Sequence, residues 1–292
     1  MIDMATTSPN TPLVVIGTFV LLLTLESWRP LRRRKRTRGR RYLVNGALTG
    51  LGFITGVLTV RPVALGGAAW AETHAFGLLH LTSLPLWVQV LAGVLLMDLT
   101  FYYWHRLNHT RPLLWRFHNV HHADPDMDIT TSFRFHCGEV LYSTVFRLLQ
   151  VGLIGVLPLT YVIYEAVFNC ATMFHHSNLR LPVAWERRIN RILVTPRMHG
   201  VHHSVVGGET NSNYSVIFSW WDRLNRSLRL NVGQRDIIIG VPGYLLPGDN
   251  RIFPLLALPF HKQRPYWRWP SGKASVRVQG GESPDNPKMM VD

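Results

Sequence analysis

Apolar sequence from Val140 to Phe174 is too long for a single bilayer crossing, and it breaks only near Gly155 to Pro158, where a chain can turn back. A hairpin of two membrane-length helices is the fold such a block predicts. Three further apolar stretches have the same character. Leu13–Leu25 is slightly short unless Thr11 and Pro12 extend it, a second runs from about Tyr42 to Val60, and a third from Leu84 to about Trp104. With 47% hydrophobic and only 16% charged residues in 292, little is left to make the charged surface of a soluble domain. The expected fold is all-α, a multi-pass membrane helical bundle of about four to five spans.

The charge distribution orients it. Nine basic residues lie in Arg29–Arg41, directly after the first apolar block. A signal peptide has its charge first and a small-residue cleavage site afterwards, so this order predicts an anchor whose N-terminus lies outside. Alternating sides from there puts residues 105–137 and 175–292 in the cytoplasm with the basic loop, and the three regions hold 29 of the 31 Lys and Arg residues. Only Arg61 and Arg147 fall elsewhere. That sorting accounts for the net charge of +14 without nucleic acid, and the aromatic residues lie in or beside spans instead of along a basic strand face. Cys137 and Cys170 lack any metal or redox spacing and read as reduced packing residues.

Eleven of the fourteen histidines fall between His105 and His203. HRLNH at 105–109 begins where the third span ends, so a continuing helix sets His105 and His109 one turn apart. In HNVHH at 118–122, His118, His121 and His122 stand at i, i+3 and i+4, the spacing of one helical stripe. HGVHH at 199–203 repeats the pattern with His199, His202 and His203, behind Thr195 as N-cap and Pro196 as first helical residue. His175 and His176 end the predicted hairpin at the same membrane face. With histidine at about one residue in twenty, a chain of this length expects roughly 0.03 HxxHH matches, so two are not chance. His74, His80 and His261 stand apart and read as ordinary surface or core residues.

So many neutral imidazoles beside a membrane stay buried only if something shares their lone pairs, and a metal does so. Imidazole suits iron, zinc, copper and nickel alike, but eight to ten ligands imply two ions. HExxH is absent, so zinc-peptidase chemistry lacks its general base.

Beyond the histidines, DLTFYYWHRLNH at 98–109, LLWRFHNVHHADPDMD at 113–128, SFRFHCGE at 132–139, FHHSNLRLP at 174–182, TPRMHGVHH at 195–203 and NSNYSVIFSWWD at 211–222 resemble the fatty acid hydroxylase superfamily, also called sterol desaturases. The resemblance covers about Leu95 to Leu230. It implies a membrane non-haem di-iron oxygenase, with iron ligands on His105, His109, His118, His121, His122, His199, His202 and His203 and a further ligand from His175 or His176. Some members carry another histidine where this chain has Ala171. Family positions expected to surround the ligands are Asp98, Tyr102, Tyr103, His136, Glu139, Asn213, Tyr214 and Asp222, with Asp98 and Asp222 placed to accept imidazole N–H groups. Cys137, Ser215 and Asn225–Arg226–Ser227 depart from frequent family residues.

By this reading, residues 1–83 form a membrane anchor with a basic cytoplasmic loop. Residues 84–247 form the di-iron hydroxylase-like domain, whose histidines make a cytoplasmic helical cap. Residues 248–292 form a C-terminal extension that ends in a disordered tail from Gly272. The implied cofactors are two Fe ions, with zinc able to replace them on purification, and O2 as co-substrate. The implied reaction is hydroxylation or desaturation of a lipid C–H bond. No GxGxxG, haem module or cysteine set for an iron-sulfur cluster is present, so a separate electron-transfer chain is expected, a reductase with a ferredoxin or cytochrome b5-like carrier. A bacterial inner membrane is the expected location. A histidine-lined divalent-metal transporter or a membrane zinc hydrolase would carry similar residues; the transporter is disfavoured because its ligands should lie near the membrane midplane.

Overall fold

The computed structural model describes residues 10–234 and 237–277. Seven longer helices run in order: α1 (Asn10–Trp28), α2 (Arg38–Thr55), α3 (Arg61–Thr73), α4 (Leu86–Thr110), α5 (Pro112–His122), α6 (Cys137–Ile154) and α7 (Pro158–His176). Five short ones follow: α8 (Val183–Ile189), α9 (Pro196–His202), α10 (Gly207–Thr210), α11 (Trp220–Leu224) and α12 (Ile252–Ala257). Among the described residues, β structure is limited to isolated bridges. The chain is an all-α, multi-pass membrane bundle.

Three stretches, Arg38–His80, Leu86–Thr110 and Cys137–Ile154, are long and apolar enough to cross a membrane, and α1 is a shorter apolar helix. Their surfaces are inverted relative to a soluble protein. Leu43, Phe53, Leu58, Leu141, Val145 and Leu153 face outward, whereas Asp98, Asn108 and Gln150 are buried. The return arm, α7, is less apolar, because Glu165, Asn169, Thr172 and two histidines interrupt it. The hairpin itself forms where glycine and proline predict it. Gly155 caps α6 in the left-handed region (φ 74°), and Pro158 opens α7. A side chain at 155 would strike the Phe76 carbonyl oxygen at 2.5 Å.

The second span does not stop at Val60. The helix passes straight into α3 through a π-helical turn at Gly56–Val60, where the Arg61 amide reaches back to the Gly56 carbonyl. This widened turn lies just ahead of Pro62, which has no N–H to donate, and lets the helix continue past it. Arg61, a charge this brings into the span, faces Glu165 of α7 at 3.9 Å.

The basic loop after α1 is folded into the cap. The Lys35 and Arg36 amides donate to the Asp126 carboxylate at 2.8 Å each. Arg41, at the start of α2, grips both oxygens of Asp124 at 2.7 and 2.8 Å and also reaches Asp128 and Thr131. Asn45 donates to Asp124 and accepts from Arg134, whose Nε holds the Val120 carbonyl inside α5. Although burial alone would raise its pKa, Arg41 and Arg134 hold the Asp124 carboxyl below the usual range. This network anchors the loop that follows the second histidine box.

The C-terminal segment shares a core with the N-terminal helices. Val44 and Leu48 pack with Trp115, Val120, Leu255 and Leu258. Within the stretch from Gly272, the Ser275 amide donates to the Trp267 carbonyl and Arg277 pairs with Glu209; residues 278–292 lie outside the described residues.

Candidate metal centre

Four elements converge at the cap. The end of α4 brings His105 and His109, α5 brings His118, His121 and His122, the end of α7 brings His175 and His176, and α9 with its C-cap brings His199, His202 and His203. Thr195 precedes α9 as expected but makes no side-chain capping bond. Gly200 lets α9 lie against the basic loop, since a Cβ there would meet the Arg32 guanidinium at 1.7 Å.

The imidazoles sort into two adjacent groups. His105, His109, His118, His122 and His202 form one, and His121, His176, His199 and His203 the other; within each, one nitrogen per ring lies within 4.8 Å of all the rest. The HxxHH stripe is therefore divided. In α5 the i, i+4 pair His118 and His122 serves the first group and His121 the second. In the α9 region the i, i+4 pair His199 and His203 serves the second and His202 the first. Residues at i+3 and i+4 lie on opposite sides of the stripe, about 100° apart around the axis, so they can face neighbouring centres. His122 and His203 stack at 4.2 Å where the groups meet. Of the pair that closes α7, His176 joins the second group. His175 lies outside both, beside His199, with its Nδ1 3.1 Å from the Val216 carbonyl.

These rings have little else to bind. Buried nitrogens of His109, His118, His121, His122, His199, His202 and His203 lack hydrogen-bond partners. In the second group the Nε2 atoms sit 3.0–3.1 Å apart, from His121 to His176, His176 to His199 and His199 to His203. Two ligand atoms at right angles around an ion with bonds of ~2.1 Å are about 3.0 Å apart, so this spacing fits a shared metal. Burial first, then the neighbouring imidazoles, push His121, His122, His199 and His203 well below the usual histidine range, and burial takes His202 down to about 3. All five are neutral imidazoles at physiological pH, the form that can bind a metal. The residues present fit two metal ions.

What orients the rings is mostly backbone. In the run after α10, alternate carbonyls face the histidines. Ser212 O accepts from His202 Nδ1 at 2.7 Å, Tyr214 O from His105 Nδ1 at 2.7 Å, and Val216 O from His175 Nδ1. Within α7, Thr172 O accepts from His176 Nδ1 at 2.8 Å. Each bond leaves Nε2 as the free lone pair of a neutral ring.

Asp98 and Asp222, expected to receive imidazole N–H groups directly, act one step further out. Asp222 accepts the amides of Tyr214 and Ser215, both at 2.9 Å, and the Ser227 hydroxyl at 2.6 Å. Asp98 accepts the amides of Ile217 and Phe218 and the Trp221 indole. Together they hold the middle of the carbonyl row and its C-terminal end. Burial raises the Asp222 pKa, against the pull of these bonds.

The other expected neighbours divide by what they touch. Glu139 Oε1 meets His118 Nδ1 at 2.8 Å. The Tyr214 ring lies edge-on to His105, His109 and His202. Asn213, in the left-handed region at φ 54°, turns the chain into the row and holds the Met198 and Arg229 carbonyls. Tyr102 bonds the Ser227 hydroxyl, while Tyr103 is exposed and reaches Asn225. His136 caps α6 and bonds the Leu256 carbonyl, away from the centre. Sequence reasoning missed Phe135, stacked on His121 at 4.6 Å, and Trp115, packed against His109 and His122. It also missed the carbonyls of Ser212 and Val216, for which the period-two run of NSNYSV was the available signal.

A buried two-chamber histidine centre capping a membrane bundle defines a class of membrane metalloprotein. Residues 90–227 match the family model described as fatty acid hydroxylase. The chain is 31% identical to human cholesterol 25-hydroxylase over 72% of its own length and 78% of that protein. It is 28% identical to the ornithine lipid hydroxylase OlsE of Rhizobium tropici over 61% of its length, spanning about half (52%) of that relative. It is 27% identical to the alkylglycerol monooxygenase of Xenopus tropicalis over 70% of its length and 45% of that protein. No solved structure matches. This chain belongs to the fatty acid hydroxylase family.

Proposed function

We propose that the protein is a membrane-bound non-haem di-iron oxygenase that hydroxylates a lipid C–H bond with O2 and electrons from a separate carrier. Family membership supplies the enzyme class, an oxygen-dependent oxidoreductase acting on lipids. The observation that carries the finer reading is the pair of histidine groups with orphaned lone pairs. Nine ligands divided five and four suit two ions better than one. The overall balance is RH + O2 + 2 e⁻ + 2 H⁺ → ROH + H2O. When bound, the two iron ions supply O2 activation and removal of hydrogen from the C–H bond.

The chain's own residues prepare that chemistry. The carbonyls of Ser212, Tyr214 and Thr172 hold His202, His105 and His176 in the tautomer that leaves Nε2 available. Glu139 orients His118, and Phe135 and Trp115 wall the centre against water. Because His105 and His109 continue directly from the α4 span, a lipid chain in the bilayer has the shortest approach to the first group. The relatives' names favour hydroxylation over desaturation and span ornithine lipid, cholesterol and alkylglycerol, so the substrate is assigned only as a lipid with an oxidisable hydrocarbon part. The charge sorting supports a cytoplasmic cap, and the OlsE relative a bacterial inner membrane.

The test is metal content and reductant-dependent O2 uptake of detergent-purified protein, with His121→Ala and His202→Ala beside the wild type. Two irons per chain and uptake lost in both variants are expected. Zinc alone, with no uptake after iron loading, would return the histidines to a hydrolase or transport role.

A further inference from the structure

If the centre consumes two electrons per turnover, they must reach imidazoles that are almost wholly buried. Trp115, itself 5% exposed, packs against His109 (ring centroids 4.9 Å) and His122 (5.3 Å). Its far side meets Trp267 and Tyr266, each at 5.9 Å, and both of these are half-buried. Two ring contacts thus connect a histidine to the protein surface. Trp267 is held in place on α10, where a Cβ at Gly207 would lie 2.9 Å from the indole. Tyr266 is fixed by its hydroxyl on Gln263 at 2.9 Å.

The segment that carries Tyr266 and Trp267 is strongly positive. From Arg251 to Arg277 the chain carries six Lys and Arg residues and no Asp or Glu. Two carboxylates that this segment touches are neutralised, Asp249 by Arg264 and Glu209 by Arg277. Core packing accounts for Trp115, while the segment that carries Trp267 leaves Arg251, Lys262 and Arg268 exposed with no acidic residue of its own. A second ring path leaves the histidines through Tyr214 and Tyr102 and ends on the exposed Tyr103, whose hydroxyl donates to Asn225.

We infer that electrons enter at this C-terminal face, delivered by an acidic one-electron carrier protein that docks over Trp267, with Trp267 and Trp115 bridging to the first histidine group. The inference rests on the di-iron reading above. In each transfer the carrier loses one electron and a metal ion gains it, with no bond made or broken. Tunnelling weakens steeply with distance, and packed ring atoms carry it better than solvent. Charge complementarity raises the rate at which the carrier finds the face.

Stopped-flow reduction of the iron-loaded full-length protein tests this, with reduced [2Fe–2S] ferredoxin and reduced soluble cytochrome b5 as donors and dithionite as a small-molecule control. The double variant Lys262→Glu/Arg268→Glu should slow reduction by the better protein donor about tenfold or more at low ionic strength and flatten its salt dependence. Trp267→Leu should lower the limiting rate at saturating donor, and Trp267→Phe should restore most of it. Dithionite should reduce all the proteins alike. No slowing with either protein donor, or equal slowing with dithionite, overturns the route alone. Failure of dithionite to reduce any bound metal overturns the di-iron reading and this inference with it.

Discussion

Replacing Asp222 with Asn keeps the shape of the side chain and removes its charge and one acceptor. Oδ1 serves the Tyr214 amide and the Ser227 hydroxyl, and Oδ2 serves the Ser215 amide. An amide side chain presents NH2 to one of those backbone N–H groups, which leaves a buried donor unpaired. A hydrogen bond to a charged group contributes about 1.5–3 kcal/mol, and an orphaned buried donor costs about 1–3 kcal/mol, so the clamp loses roughly 3–5 kcal/mol locally. The carbonyl row it holds orients His105 and His202, both in the first group, whereas His176 in the second is oriented from Thr172 inside α7. Loss of such an outer hydrogen bond typically lowers metal affinity about 10–100-fold. Asp222→Asn should therefore weaken metal binding at the first group by that factor and spare the second. Iron titration followed by Mössbauer spectroscopy reads this directly. Wild-type affinity at both sites, or equal loss at both, would refute the idea that the row governs the first group selectively.

Glu139→Ala removes the sole carboxylate hydrogen-bonded to one of the grouped imidazoles among the described residues and should also weaken the first group about 10–100-fold by the same titration. Arg41→Met leaves Asp124 and Asp128 buried without their main cation, which should destabilise the cap by about 3–5 kcal/mol in thermal unfolding. Adding Asp124→Asn to it should recover part of that loss. Gly155→Ala forces a Cβ into the left-handed region against the Phe76 carbonyl; the conformation alone costs about 1–2 kcal/mol, so a lowered Tm in detergent is expected.

The spans, the hairpin turn and the convergence of the histidine boxes were legible because each rests on a local rule: apolar length, a glycine-proline break, or helical spacing. The extension of the second span was not, because Pro62 reads as a stop and the π turn that accommodates it has no sequence signature. Nor was the allocation of imidazoles. HxxHH says that three rings share a stripe, but which side of the stripe faces which centre depends on how α5 and α9 are set against α4 and α7. The basic loop read as a run of cytoplasmic charge, yet the Arg41 guanidinium is committed to Asp124 and Asp128 and the backbone amides of Lys35 and Arg36 to Asp126, a pairing across roughly ninety residues that charge patterning cannot foresee.

The row of carbonyls at Ser212, Tyr214 and Val216 also bears on which substitutions the protein can absorb. A carbonyl is common to every amino acid, so the groups that set His202 and His175 place no demand on the identity of residues 212 and 216. At those positions the side chains answer only to their own packing, Ser212 through its hydroxyl on the Glu209 carbonyl and Val216 in the bundle core, and the demand of ring orientation passes to Asp98 and Asp222, which hold the amides of residues 214, 215, 217 and 218. Swaps at 212 and 216 that keep this packing would therefore leave the imidazoles in place, whereas loss of Asp98 or Asp222, a layer further out, would release them, the reverse of the usual gradient.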